Sequence, residues 1–117
     1  MLQISPNTKI FVAIAPIDFR KGLDALKALC KQQFFVDPFS GSYYVFRNRA
    51  ATSIRILSFD GQGFWLCTKR ISQGRFQWWP KDEGEALTQL AAKELHILLY
   101  SGNPKSAQLA DDWRRLP

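Results

Sequence analysis

The chain has 117 residues, 46% of them hydrophobic and 14% aromatic, with a net charge of +6. That length suits a single domain, and that composition can bury a core, which excludes a disordered tail. No run approaches the 18 or so apolar residues of a spanning helix, and the first residues lack the charged-then-apolar plan of a secretory signal, so a cytoplasmic location is expected.

The charge is uneven. Residues 1–79 carry eleven Lys or Arg against four acids, a balance of +7, whereas residues 80–117 balance at −1. A basic field of this kind favours polyanionic partners without specifying a fold. Cys30 and Cys67 stand far apart among apolar neighbours and read as reduced, partly buried thiols. Neither they nor the lone His96 shows metal-ligand spacing, so no metal and no cofactor is expected.

In chain order, residues 9–15 (KIFVAIA) form a run too short for a buried helix, and their Ile, Phe and Val favour a strand that Pro16 closes. Asp18 reads as the N-cap of a helix in which Phe19, Leu23, Leu26, Leu29, Cys30 and Phe34 recur at helical spacing. Lys21, Asp24, Lys27 and Lys31 fall mainly away from that stripe. Gly22, placed in the first turn, costs about 1 kcal/mol against alanine and suggests that something packs closely there. Asp37-Pro38-Phe39-Ser40-Gly41 is loop chemistry.

Residues 43–80 are expected to form a four-stranded antiparallel meander. Asp60-Gly61-Gln62-Gly63 joins two runs rich in β-branched and aromatic residues, which predicts a hairpin over residues 54–69. Ser72-Gln73-Gly74 then leads into a last run ending at Trp79-Pro80. Ile54, Ile56 and Ser58 share one face of their strand, and Arg55, Leu57 and Phe59 share the other. Both faces therefore need cover, one from the helices and the other from the first strand, the tail or a partner. After an acidic linker, Leu87 and Thr88 lead into a second amphipathic helix, QLAAKELHILLY, stopped by Gly102 and Pro104. The expected fold is α+β: a mainly antiparallel sheet, made of the meander plus an N-terminal strand, with two amphipathic helices. One domain is expected over residues 1–104, and a tail with at most a helical turn over residues 105–117.

No catalytic constellation emerges. Asp60 lies in a turn where aspartate serves the backbone, and no paired Cys/His spacing or glycine-rich phosphate loop is present, so an enzyme is not expected. The stronger pattern is cations interleaved with aromatics. Arg20 and Lys21 open the first helix, and Arg47, Arg49, Arg55, Lys69, Arg70 and Arg75 are spread among Tyr43, Tyr44, Phe46, Trp65, Phe76, Trp78 and Trp79. Cations can contact phosphates and rings can stack on exposed bases, which makes these eight cations candidates for nucleic-acid binding. The same rings can equally form a sheet core inside a charged rim. Trp65, Trp78 and Trp79 are candidates for binding a protein partner.

The pieces Asp18-Phe19-Arg20-Lys21-Gly22, Val45-Phe46-Arg47-Asn48-Arg49, Ile54-Arg55-Ile56-Leu57 and Asp60-Gly61-Gln62-Gly63-Phe64 form an ordered set. Lys69-Arg70-Ile71, Gly74-Arg75-Phe76 and Trp79-Pro80 continue it. On these pieces the chain resembles the small accessory (TnpB-like) protein encoded as the second open reading frame of the IS sixty-six class of bacterial insertion sequences. Ala50 and Ala51 stand where such proteins usually continue with basic residues. The resemblance implies a non-catalytic accessory role in DNA transposition, beside a larger transposase of the same element that carries the acidic catalytic triad. The implied partners are DNA at the element ends and that transposase, with no membrane. Two readings stay open: a nucleic-acid-binding module, and a protein–protein adaptor with no direct DNA contact. If the meander brings strand ends together, most of the cations share one side. Replacing Lys69 and Arg70 with alanine is then expected to weaken DNA binding without unfolding the domain.

Overall fold

The computed structural model describes residues 4–100. The expected stop at Gly102 and Pro104, the domain boundary and the tail lie outside the described residues. Five strands and two helices follow one another as β1 (Ile10–Ala13), α1 (Leu23–Gln32), β2 (Tyr43–Arg47), β3 (Ser53–Phe59), β4 (Phe64–Arg70), β5 (Leu87–Leu90) and α2 (Ala92–Leu99). The strands form one sheet in the order β4-β3-β2-β1-β5. The α+β class is as expected, but the sheet is mixed: β1 and β2 run parallel, joined through α1, and every other neighbour is antiparallel. A parallel pair needs a long crossover, which α1 and its flanking loops supply.

Both sheet faces are covered, in a way the sequence reading did not foresee. The first strand is not a cover; it lies inside the sheet with its main chain paired on both sides. On one face Ala13, Tyr44, Phe46 and Leu57 pack with Leu26 and Cys30 of α1. On the other, Ile10, Val12, Val45, Ile54 and Ile56 pack with Leu95 and Leu98 of α2 and with Phe76, Trp78 and Trp79. The alternation read at Ile54 and Ile56 against Arg55 and Leu57 is thus the real division between two cores.

The hairpin over residues 54–69 is present, with an unbroken antiparallel register from Ser53↔Arg70 to Phe59↔Phe64. Its turn is held by Asp60, whose Oδ1 accepts from the amides of Gln62 and Gly63, both at 2.9 Å. Gly61 supplies the positive φ of 97° that the turn requires.

The expected fourth meander strand is absent. After β4, Ile71 donates to the Thr52 carbonyl at 3.1 Å and Phe76 to the Ala51 carbonyl at 2.8 Å. This carries residues 71–79 around the β2–β3 turn onto the α2 face. Trp78 and Trp79 are adjacent yet pack against the same core, which an extended strand would forbid because its side chains alternate. The fifth strand comes instead from Leu87–Leu90, expected to lead into and begin the second helix. It pairs antiparallel with β1, whose buried amides and carbonyls need partners on both sides. The second helix is correspondingly shorter than the run QLAAKELHILLY, beginning at Ala92.

Two details of the first helix also differ. Asp18 is not its N-cap; the helix begins at Leu23 with Gly22 at the capping position. Nor does anything pack closely at Gly22: a Cβ built there meets no atom within 4 Å. Its glycine is tolerated because the position precedes the helix interior.

Candidate nucleic-acid interface

Three segments meet where β2 ends and β3 begins. Ile17 donates to the Arg47 carbonyl at 3.0 Å, which places the loop before α1 beside the β2–β3 turn. Residues 71–76 are fastened to the same turn through Thr52 and Ala51. The turn is built by Asn48: its Oδ1 accepts from the amides of Thr52 and Ser53, and its Nδ2 donates to Thr52 Oγ1. Ala51 adopts a positive φ of 60° within it. All eight candidate cations therefore cluster at or near one end of the sheet. They do not share a face. Register puts Arg47 and Lys69 on the α2 side, while Arg55 and Arg70 lie on the α1 side.

Half of the cations are engaged internally. Arg20 is clamped by Asp18, its Nη2 donating to Oδ2 at 2.8 Å and its Nε to both carboxylate oxygens at 3.1 Å. That bond, with the Arg20 amide, holds the Asp18 carboxyl down at about 2 and raises Arg20 in turn. Arg55 stacks 4.6 Å from the Phe19 ring centroid and donates to Thr68 Oγ1 and to the Lys21 carbonyl, both at 3.2 Å. It ties the β3–β4 pair to the loop before α1. Lys69 donates to the Leu99 carbonyl at 2.6 Å and lies 4.0 Å from the Tyr100 ring centroid, so its positive charge sits at the negative C-terminal end of α2. Arg47 is half-buried over Trp79, 5.7 Å from the ring centroid, and its buried Nε has no hydrogen-bond partner among the described residues. Burial, and then the nearby Arg49 charge, lowers its pKa.

Lys21, Arg49, Arg70 and Arg75 remain. All four are exposed, and among the described residues none of their side chains makes an ion pair or hydrogen bond. A surface cavity of about 710 Å³ opens at the other end of the sheet, beside Asp60 and Trp65. At the basic end a cavity of about 650 Å³ is lined by Asp18, Phe19, Arg20, Asn48 and Arg49.

The three candidate tryptophans, Trp65, Trp78 and Trp79, divide in the same manner. Trp79 donates its Nε1 to the Ala13 carbonyl at 2.9 Å and, with Trp78, covers the α2-side core. Trp65 is 38% exposed and donates to Asp60 Oδ2 at 2.8 Å. Sequence reasoning missed Phe35, which is 85% exposed at a positive φ of 54° just past α1. It also missed the partners of Lys69 and Arg55. Residues thirty or more positions apart leave no local signal, whereas the close Asp18/Arg20 spacing was a readable one. Among the described residues no group of metal-binding side chains gathers, and no helix is long and apolar enough to cross a membrane.

The described residues form a small α+β domain with one mixed five-stranded sheet and two helices. The chain belongs to the IS66 Orf2-like family, whose description, IS66 Orf2 like protein, it matches over residues 8–108. The family links it to insertion-sequence transposition in an accessory capacity. It is similar to the uncharacterized protein y4hO of Sinorhizobium fredii strain NGR234, at 33% identity over 98 residues and 84% of each chain. It is also similar to the uncharacterized protein y4jC of the same organism, at 36% identity over 84 residues and 72% of each chain. No solved structure matches it.

Proposed function

We propose that the protein is a non-catalytic accessory of transposition that contacts the DNA phosphate backbone through the end of its sheet around the β2–β3 turn. The observation that carries this reading is the set of four exposed cations, Lys21, Arg49, Arg70 and Arg75, unpaired among the described residues, around one hydrogen-bonded turn. Such groups neutralise phosphates at little cost, because no internal partner must be given up first. The contact is weak in sequence preference, since phosphate contacts position a protein without reading bases. A cytoplasmic location and a larger transposase of the same element as a further partner fit the same role.

The test is a salt-series binding titration with duplex DNA carrying an element end. Each neutralised phosphate contributes about −0.9 to the log–log slope, so a slope near −3 to −4 is expected. Replacing Arg49, Arg70 and Arg75 together with alanine should shallow it by roughly 2 to 3 while the fold is kept. Binding indifferent to salt, or none at low salt, would remove this reading. The adaptor reading, in which exposed Trp65 anchors a protein partner, would then be tested by capture of the transposase with Trp65→Ala as the comparison.

A further inference from the structure

Among the described residues strand β4 is the outer edge of the sheet, its seven residues paired on one side only. The hydrogen bonds flanking its register fix which main-chain groups are free. Asp60 donates to the Gly63 carbonyl and Ile71 to the Thr52 carbonyl. Antiparallel ladders alternate, so Trp65, Cys67 and Lys69 exchange hydrogen bonds with β3. Phe64, Leu66, Thr68 and Arg70 turn their amides and carbonyls outward, and among the described residues no backbone bond reaches those groups.

Edge strands are normally blunted by proline, a bulge or an inward-pointing charge. This one has no proline, its register is unbroken, and the charge of Lys69, near its end, is drawn away to the end of α2. The opposite edge, β5, has only four residues.

We propose that β4 is a self-association edge: two copies pair their β4 strands antiparallel about a two-fold axis through Cys67, giving one continuous ten-stranded sheet. That centre is the midpoint of the strand, and it is the register at which every outward-facing residue meets another. Leu66 pairs with the partner's Thr68, and Phe64 with the partner's Arg70, for roughly eight interchain hydrogen bonds. On the α2 side Trp65 faces the partner's Lys69; on the α1 side the Phe64 ring faces the partner's Arg70. The Arg70 guanidinium meets an aromatic ring, Lys69 stays on its own Leu99 carbonyl and Tyr100 ring, and no like charges are opposed, which is what favours a second copy over an unrelated strand. The two-fold sends the basic ends in opposite directions; of the four exposed cations it takes up Arg70 alone and leaves Lys21, Arg49 and Arg75 uncovered.

Under this symmetry Cys67 faces its own copy in a non-hydrogen-bonded pair, with Cα atoms about 4.5 Å apart, inside the range a disulfide spans. The test measures the mass of the full chain by sedimentation between about 5 and 200 µM, then treats it with diamide under native conditions. Diamide takes up the two protons and two electrons that a pair of thiols releases on forming a disulfide. Cys30, buried and with its thiol pushed up to about 11, is a poor competitor. The expected result is a dimer carrying a Cys67–Cys67 link by peptide mapping, absent in Cys67→Ser. Trp65→Lys, which sets ammonium groups opposite one another twice per dimer, should raise the dissociation constant about tenfold or more. A monomer across the whole range, or a dimer that forms no Cys67–Cys67 link, overturns the proposal. The link is read on the unaltered chain, so misfolding of the Trp65→Lys variant would not obscure it.

Discussion

At the hairpin end of the sheet one carboxylate, Asp60, serves two backbone amides and the Trp65 indole. At the opposite end the cations converge with Asp18 as the acid between them, and only some have found a partner. The comparison separates two uses of charge that look the same in a sequence. Asp60, Arg55 and Lys69 hold segments of the fold together. Among the described residues the side chains of Arg49, Arg70 and Arg75 make no ion pair or hydrogen bond, which is why the proposed contact rests on them. A count of basic residues overstates the available surface, because each internally bonded cation must lose its partner before it can meet a phosphate.

The sharpest way to break this division is to remove one member of each set and measure unfolding. Arg55→Ala should lose about 2 kcal/mol, since its stacking on Phe19 and two charge-assisted hydrogen bonds go together. Lys69→Ala should lose about 1 to 2 kcal/mol by uncovering the C-terminal carbonyls of α2. Arg70→Ala and Arg75→Ala should stay within about 0.5 kcal/mol of the parent in urea denaturation. The expectation that Lys69 and Arg70 can be replaced together without unfolding the domain is sharpened by this: the loss of stability should come from Lys69 and not from Arg70. Equal losses for all four would erase the distinction.

The hairpin end gives a smaller and pH-dependent effect. The amides of Gln62 and Gly63, followed by the Trp65 indole, lower the pKa of the Asp60 carboxyl. A group depressed on folding stabilises the folded state above its unfolded pKa, and that contribution is lost as pH falls through the folded value. Asp60→Asn should therefore lower the melting temperature by a few degrees at neutral pH and flatten the acid side of the stability profile. Trp65→Phe should raise the Asp60 midpoint in an NMR titration while leaving the turn in place.

How far this was legible in the sequence depended on whether the cause was local. The DGQG hairpin, the strand over residues 9–15 and the stripe of Leu26 and Cys30 carry their reasons within a few residues, and all are present. Leu87–Leu90 reads as a helix start by spacing alone; it is a strand because β1, far away in sequence, has an open side. The run ending in Trp79-Pro80 reads as a strand by composition, yet it is the cover of the α2-side core. The candidate cations lie at or near one end of the sheet, but which of them are spent inside the fold depends on tertiary partners such as Leu99 and Phe19.

Within the basic end itself, Ala51 offers a finer probe. It holds a left-handed conformation, φ 60°, in the turn that Asn48 organises, and an L-residue with a Cβ is strained there by about 1 to 2 kcal/mol relative to glycine. Part of that gain is offset by the wider unfolded ensemble that glycine allows. Ala51→Gly should therefore raise stability by roughly 0.5 to 1 kcal/mol, with the DNA salt slope unchanged because no cation moves.

The smallest effect concerns Gly22. It sits at the N-cap of α1 with extended backbone angles, φ −87° and ψ −171°, and makes no side-chain cap. Those angles suit any L-residue, and the space around its Cα is open. Serine there can accept from a free amide of the first turn, and it also narrows the unfolded ensemble. Gly22→Ser should add about 0.5 kcal/mol in chemical denaturation. The site lies next to Lys21, whose carbonyl accepts from Arg55, so the substitution also tests whether that loop is already rigid. If it is, the gain appears in stability alone and the salt slope is untouched. A steeper slope in Gly22→Ser would mean that ordering the loop had brought Lys21 into the contact, and that the fold, not only the free charge, limits what this end can hold.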